Sequence, residues 1–226
     1  MSSPWNEALA GVAAKLNHGS FDWMLVGSAA TALRGVAVEP GDIDVAVSTA
    51  EDVARAATLL PTPEATQRQD PRHEPGDPAT WLSTTAEPTL RFGDAQRWTF
   101  GRWLVNGVKV ELAHIEDPTA ADLMIETRGP LVWRARTVVD CHGHPIPTVP
   151  IEVQIATMLA RQQAARIEAT IAVIDSLPLN VALLRRAISD RQAEGFTITV
   201  PDTLRGLLAQ QRTATERTDQ RPELPA

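Results

Sequence analysis

Two neighbouring stretches decide the fold: MLVGSAATALRG at residues 24–35 and PGDIDVAV at residues 40–47. The first predicts a buried strand over residues 23–27, a glycine-serine turn and an alanine-rich helix over residues 28–35. The second predicts a strand over residues 43–48 that begins with two aspartates around an isoleucine. A strand, a tight turn, a helix and a second strand in this order indicate an α/β domain.

The two aspartates are Asp42 and Asp44. Because side chains i and i+2 of a strand point to the same side, roughly 6.5 Å apart at the Cα atoms, their carboxylates aim at one point. Like charges this close repel each other, so a cation between them is expected. Hard carboxylate oxygens suit Mg²⁺, which usually also takes oxygens from a substrate phosphate. The N–H groups where Gly27 and Ser28 open a helix form an anion site.

This combination resembles the nucleotidyltransferase superfamily, the fold of DNA polymerase beta and kanamycin nucleotidyltransferase. The resemblance implies that Gly27 and Ser28 hold the β- and γ-phosphates of an NTP, and that Asp42 and Asp44 hold metal. It also implies a third carboxylate on a neighbouring strand. The matching residue here is Glu111, where the family usually has aspartate.

Glu111 lies in a predicted β-hairpin of residues 97–105 and 108–115, which meet at an Asn-Gly dipeptide typical of a type I′ turn. The resemblance makes Glu111 the acceptor-side ligand in catalysis by two Mg²⁺ ions, with Mn²⁺ as an alternative metal. The other interpretation is an exposed glutamate on an edge strand that pairs with Lys109 or an arginine.

Two arginines are candidates for nucleotide binding. Arg34, one turn from the end of its helix, is either a phosphate contact or a solvated or capping residue. A long helix over residues 151–176 resembles the one that opens the second domain of many small nucleotidyltransferases. Because Met158 stands where that helix often has a phosphate-binding lysine, Arg161 or Arg166 is the predicted substitute. The other interpretation places both arginines on a solvated face of the helix.

The remaining chain predicts an α/β domain on a mixed sheet (residues 1–149), a helical domain (150–215) and a flexible tail (216–226). Residues 61–89 contain six prolines and predict a long loop, which we interpret as a flap over the acceptor. Further elements are predicted from periodicity and capping residues. They are helices over 5–17, 51–60, 122–127, 179–194 and 202–215, and a strand over 131–139.

The 226 residues carry a net charge of −7, all of it in residues 1–150, because residues 151–226 hold nine basic and nine acidic side chains. An acidic catalytic half suits metal ions and disfavours a long nucleic-acid groove. No apolar run is long enough to span a bilayer, and the start of the chain lacks the features of a secretory signal. Cys141 is the single cysteine, so no internal disulfide can form. These features predict a cytoplasmic protein without a membrane partner.

The resemblance implies transfer of an NMP from an NTP, such as ATP, to an acceptor. Toxins of the AbiE and MenT types suggest a tRNA end as the acceptor and a cognate antitoxin as a partner. Lincosamide and aminoglycoside nucleotidyltransferases suggest a small molecule instead. The third hypothesis is a non-catalytic family member that binds a nucleotide or a partner.

Overall fold

The computed structural model describes residues 3–61 and 81–209. Its centre is a seven-stranded sheet with the order β3-β4-β5-β2-β1-β7-β6. The strands are β1 (Trp23–Val26), β2 (Ile43–Val47), β3 (Leu90–Phe92), β4 (Arg97–Val105), β5 (Val108–Glu116), β6 (Thr137–Cys141) and β7 (His144–Thr148). The sheet is mixed, because β2 runs parallel to β5 and β1 parallel to β7, whereas the other neighbours are antiparallel.

Helices cover the sheet and extend the chain beyond it. They are α1 (Pro4–Leu16), α2 (Gly27–Ala32), α3 (Ala50–Leu59), α4 (Pro130–Ala135), α5 (Ile151–Ala160), α6 (Ala164–Ala172), α7 (Val181–Ala193) and α8 (202–209). This mixed sheet with its helices confirms the predicted α/β fold class. None of the helices in the described ranges combines the length and apolar character needed to cross a bilayer.

The elements form where the sequence places apolar and capping residues. All four residues of β1 are buried, as a strand covered on both faces requires. Helix α1 buries one apolar stripe against the same core, including Leu9 and Leu16. Thr49 caps α3, since its hydroxyl oxygen accepts the N–H of Asp52 at 3.2 Å.

The predicted hairpin is confirmed, with β4 and β5 in continuous antiparallel register. Asn106 and Gly107 have φ angles of +51° and +77°. Two successive positive φ angles define the type I′ turn, whose twist matches that of the strands. The hairpin therefore places β5 in the interior of the sheet, between β4 and β2.

Two predictions between residues 122 and 139 are wrong. Residues 122–127 form turns, and the predicted strand over 131–139 is divided into α4 and β6. The backbone before α4 makes isolated turn bonds, such as that from the N–H of Gly129 to the carbonyl of Ile125 at 3.0 Å, and it also bonds to side chains of α7. The carboxylate of Asp190 accepts the N–H of Met124 at 2.8 Å, and Arg186 donates to the carbonyl of Asp122 at 2.7 Å. Pro130 then begins α4, because proline is well suited to the first turn of a helix.

The single helix predicted over residues 151–176 is also wrong, because α5 ends and α6 begins a few residues later. Gln162 adopts a left-handed backbone with φ +54°. The N–H of Gln163 bonds to the carbonyl of Met158 at 3.0 Å, and that of Gln162 to Leu159 at 3.2 Å. This is the pattern of a Schellman C-cap, which ends α5 at Arg161.

Some predictions fall outside the described residues. These are most of the 61–89 loop interpreted as a flap, the end of the helix predicted over 202–215, and the tail at 216–226. The boundary predicted near residue 150 stays a prediction. Helix α5, which follows it directly, has every residue buried and contacts both α2 and α7.

Candidate metal and nucleotide site

The three carboxylates predicted as metal ligands are brought together on one face of the sheet. Asp44 on β2 lies directly opposite Glu111 on β5, and Asp42 immediately precedes β2. One oxygen from each carboxylate lies within 4.8 Å of the other two. We refer to Asp42, Asp44 and Glu111 as the acidic cluster. Three oxygen ligands at this spacing form a set suited to a hard divalent cation.

The glycine-serine turn packs directly against the acidic cluster. Gly27 has φ +66°, and a Cβ atom added there would lie 2.3 Å from Oδ2 of Asp44. Glycine is therefore required both for the backbone conformation and for the close approach. The side-chain amide of Gln154 on α5 donates to the carbonyl of Gly27 at 2.6 Å and fixes the turn. Ser28 is buried at the start of α2.

Asp44 lies in an environment that disfavours its charged form. Burial, followed by repulsion from Asp42, Glu111 and Glu126, raises the pKa of Asp44 from 3.8 to about 7, while Lys109 opposes this shift. The cluster therefore has a surplus of negative charge that a bound cation would compensate. The carboxylates, their spacing and this charge surplus fit Mg²⁺ or Mn²⁺.

Within residues 3–61 and 81–209, two basic side chains contact the acidic cluster. Nζ of Lys109 lies 2.9 Å from Oδ2 of Asp42 and 3.2 Å from Oε1 of Glu111. Arg102 on β4 places two nitrogens 2.8 Å from the same Oε1 of Glu111. Glu111 thus has both partners that its alternative interpretation named. It does not lie on an edge strand, however, since β5 is an interior strand.

A cavity of about 570 Å³ opens beside the acidic cluster. Side chains of the sheet line one part of it: Asp44, Trp98, Phe100, Glu111, Ala113 and Ile115. Residues from the ends of α5 and α7 and from the turns before α4 line another part: Glu126, Thr127, Arg128, Arg161, Arg191, Glu194 and Phe196. The cavity is large enough for a small-molecule ligand.

Arginines concentrate on the helical part of the cavity. Arg161, predicted for nucleotide binding, is exposed at the end of α5 and lines the cavity. Arg128 and Arg191 both donate to Glu194, at 2.6 Å and 2.9 Å. Arg191 also donates to the hydroxyl of Thr157 at 2.8 Å. Its buried Nε has no hydrogen-bond partner within the described ranges.

Arg34 makes its contacts inside the protein. Its guanidinium donates to the hydroxyl of Thr148 at 2.7 Å and to the carbonyl of Val149 at 2.6 Å. Burial lowers the pKa of Arg34 to about 10, against the opposing influence of Glu152. These contacts connect the end of α2 to β7. The phosphate contact that the sequence predicts for Arg34 stays a prediction.

The sequence gives no sign that Glu126 belongs to this site. Its Oε1 accepts the N–H of Gly27 at 3.3 Å, and the side chain lines the cavity. Glu126 lies in turns that the sequence pattern assigns to a helix, next to Thr127 with φ +66°. Its place at the glycine-serine turn follows from packing against α7, which no local motif encodes.

No family model matches the chain, and no curated protein matches it. A solved structure from Thermotoga maritima, described as a "putative nucleotidyltransferase", is similar at 18% identity and a TM-score of 0.50. The similarity covers 78% of this chain and 97% of that one. An antigenic nucleotidyltransferase-like protein from Paracoccidioides brasiliensis gives 14% identity and a TM-score of 0.42 over 99% and 96% of the two chains. The antibiotic-resistance factor ANT(2'')-Ia gives 9% identity and a TM-score of 0.39 over 97% of each chain. By its likeness to the first of these structures, the chain has a nucleotidyltransferase-like fold.

Proposed function

We propose that this protein is a divalent-metal-dependent nucleotidyltransferase that moves an NMP from an NTP to the hydroxyl group of an acceptor. The observation that carries this proposal is the convergence of Asp42, Asp44 and Glu111 beside the turn at Gly27. A carboxylate trio next to a helix N-terminus can hold metal ions and phosphate groups at adjacent positions. The cavity beside them provides room for the nucleotide and for part of an acceptor.

In the proposed reaction, the acceptor hydroxyl loses its proton to solvent and its oxygen attacks the α-phosphorus of the NTP. The bond between that phosphorus and the bridging oxygen breaks, and pyrophosphate leaves. Asp42 and Asp44 would hold the ion on the nucleotide, and Glu111 the ion on the acceptor side. Bound Mg²⁺ or Mn²⁺ supplies charge stabilisation for the attacking and leaving oxygens. We assign the phosphates to the backbone at Gly27 and Ser28, where the N–H of Gly27 would have to exchange Glu126 for a phosphate oxygen.

Arg161 completes the proposed nucleotide site. Its guanidinium is exposed at the cavity and carries a permanent positive charge, which suits contacts to phosphate oxygens. Arg34 remains a second candidate for such a contact. Its bonds to Thr148 and Val149 would have to rearrange before it could reach a phosphate.

Two acceptor classes remain within this proposal. A tRNA end is the first, because the amino-acid sequence of the glycine-serine helix resembles that of the toxin-type group. For this acceptor we also propose a cognate antitoxin as a partner. A small molecule is the second. The cavity of about 570 Å³ and the net charge of −7 favour it over an extended nucleic-acid surface.

The test is to incubate the protein with each α-labelled NTP and Mg²⁺, adding either total tRNA or a panel of antibiotics, and to identify what acquires label. The Asp44→Asn variant is the matched control, because it removes one charge at nearly constant shape. Label that enters tRNA or a small molecule with wild type and not with Asp44→Asn supports the proposal. Binding of NTP without transfer to any acceptor would favour the non-catalytic alternative.

A further inference from the structure

The ammonium of Lys109 lies where the acidic cluster would bind a cation. It is 2.9 Å from Asp42 and 3.2 Å from Glu111, so one positive charge is shared by two of the three carboxylates. Lys109 and Glu111 are two residues apart on β5, and their side chains therefore lie on the same face of the sheet. The strand itself supplies the cation that offsets the repulsion within the cluster.

The side chain of Lys109 is less constrained than that of Arg102, the second basic residue in contact with the acidic cluster. The side chain of Arg102 is 10% exposed, and its guanidinium packs on the Phe100 ring at 4.9 Å. Its backbone N–H also bonds to Ser83 at 2.9 Å. The side chain of Lys109 is 39% exposed. A flexible four-carbon stem with this exposure can move its charge, whereas the arginine is held in place.

We infer that Lys109 is an internal counter-cation that competes with the divalent ion for Asp42 and Glu111, and that its ammonium leaves the acidic cluster when the ion binds. The inference rests on the proposed function. An ion coordinated by Asp42 and Glu111 would lie a few ångströms from the ammonium, and two cations at that distance repel each other strongly. Lys109 is the partner that can yield.

This arrangement gives the site a preference between two forms of the metal. A free ion must displace Lys109 and leave the ammonium without its carboxylate partners. An ion that arrives on a nucleotide also brings phosphate oxygens, which can receive the displaced ammonium. Lys109 therefore favours binding of the metal–nucleotide complex over binding of the free ion.

The first experiment measures Mn²⁺ binding in the absence of nucleotide, by electron paramagnetic resonance of the unbound ion. We expect Lys109→Gln to bind Mn²⁺ about tenfold more tightly than wild type, because one partly solvated charge is removed next to the site. Lys15→Gln is the matched control, since Lys15 is the other of the two lysines and is exposed on α1. It should bind Mn²⁺ like wild type. Unchanged or weaker binding by Lys109→Gln would overturn the inference.

A second measurement uses the wild-type protein and does not depend on the folding of a variant. With two lysines in the chain, selective ¹³C labelling of lysine gives one Cε signal from each. Titration with Mg²⁺ should shift the Lys109 signal and leave that of Lys15 in place. If Mg²⁺ binds while the Lys109 signal stays unchanged, the ammonium does not leave the cluster and the inference fails.

The Mn²⁺ data distinguish the proposed metal site from the proposed role of Lys109. Absence of Mn²⁺ binding to both wild type and Lys109→Gln would overturn the proposed metal site and the inference with it. Binding of equal strength to both proteins would retain the metal site and overturn the inference alone.

Discussion

The fold buries the carboxylate of Asp44, whereas the proposed chemistry uses its charged form. Its backbone belongs to an interior strand, while its carboxylate lies next to those of Asp42 and Glu111. Burial and these neighbours raise its pKa to about 7. A buried carboxylate that prefers to be neutral destabilises the folded protein once the pH forces it to ionise.

This gives a prediction for stability in the presence of EDTA. Because the pKa of Asp44 is higher in the folded protein than the 3.8 of an ordinary aspartate, its contribution is fully present below about pH 4 and is lost as pH rises to about 7. The loss is at most about 4 kcal/mol. Asp44→Asn should therefore gain stability relative to wild type between about pH 5 and about pH 8. Urea unfolding at both pH values measures this difference.

The control for this prediction is Glu51→Gln, which removes an exposed carboxylate on α3. It should keep the pH dependence of wild type. Adding Mg²⁺ should raise the stability of wild type at the higher pH more than that of Asp44→Asn, because the ion compensates the same charge. Identical pH dependence of Asp44→Asn and wild type would contradict the pKa argument.

At the scale of elements, the break between α5 and α6 depends on one backbone conformation. Gln162 adopts φ +54°, which costs an L-residue free energy that glycine does not incur. We expect Gln162→Gly to stabilise the protein by about 0.5–1 kcal/mol, measured by urea unfolding. Glu168→Gly, at an exposed position inside α6, should destabilise it by a similar amount. Destabilisation by both variants would show that side-chain contacts of Gln162 outweigh its backbone strain.

Sequence patterns predicted elements well where local chemistry decides them. The Asn-Gly turn and the strand that opens with Asp42 and Asp44 each carry their own signal, and the structure has both elements. The failure at residues 122–127 lies where tertiary contacts decide. The backbone at 122–127 bonds to side chains of α7, and such contacts leave no periodic mark on the sequence.

The same distinction applies to the candidate site. The acidic cluster was predictable because strand geometry relates i to i+2, and the resemblance supplied the neighbouring strand. Glu126 and Arg191 were not, since they reach the cavity from distant turns and helices. Lys109 was visible as a pairing partner for Glu111, but its bond to Asp42 required the register between β2 and β5.

For the molecule as a whole, the prediction concerns the boundary near residue 150. Every residue of α5 is buried, and Gln154 bonds to the glycine-serine turn. A chain that ends at residue 149 should therefore expose a large apolar surface and lack a cooperative unfolding transition. A chain that ends at residue 209 keeps all described helices and should unfold cooperatively. Calorimetry of the two proteins checks this, and a cooperative transition in the shorter chain would establish an independent domain.

The pairing of β1 with β7 has a consequence for biosynthesis. Leu25 pairs with Thr148, and the N–H of Val149 bonds to the carbonyl of Leu25 at 3.0 Å. On the ribosome, β7 is translated about 120 residues after β1. At ordinary elongation rates β1 therefore lacks this neighbouring strand for roughly 6 to 25 s. During that interval an apolar strand edge is open to other nascent chains. The three carboxylates of the acidic cluster are all synthesised by then, so the candidate site is complete in sequence before the sheet that holds it can close.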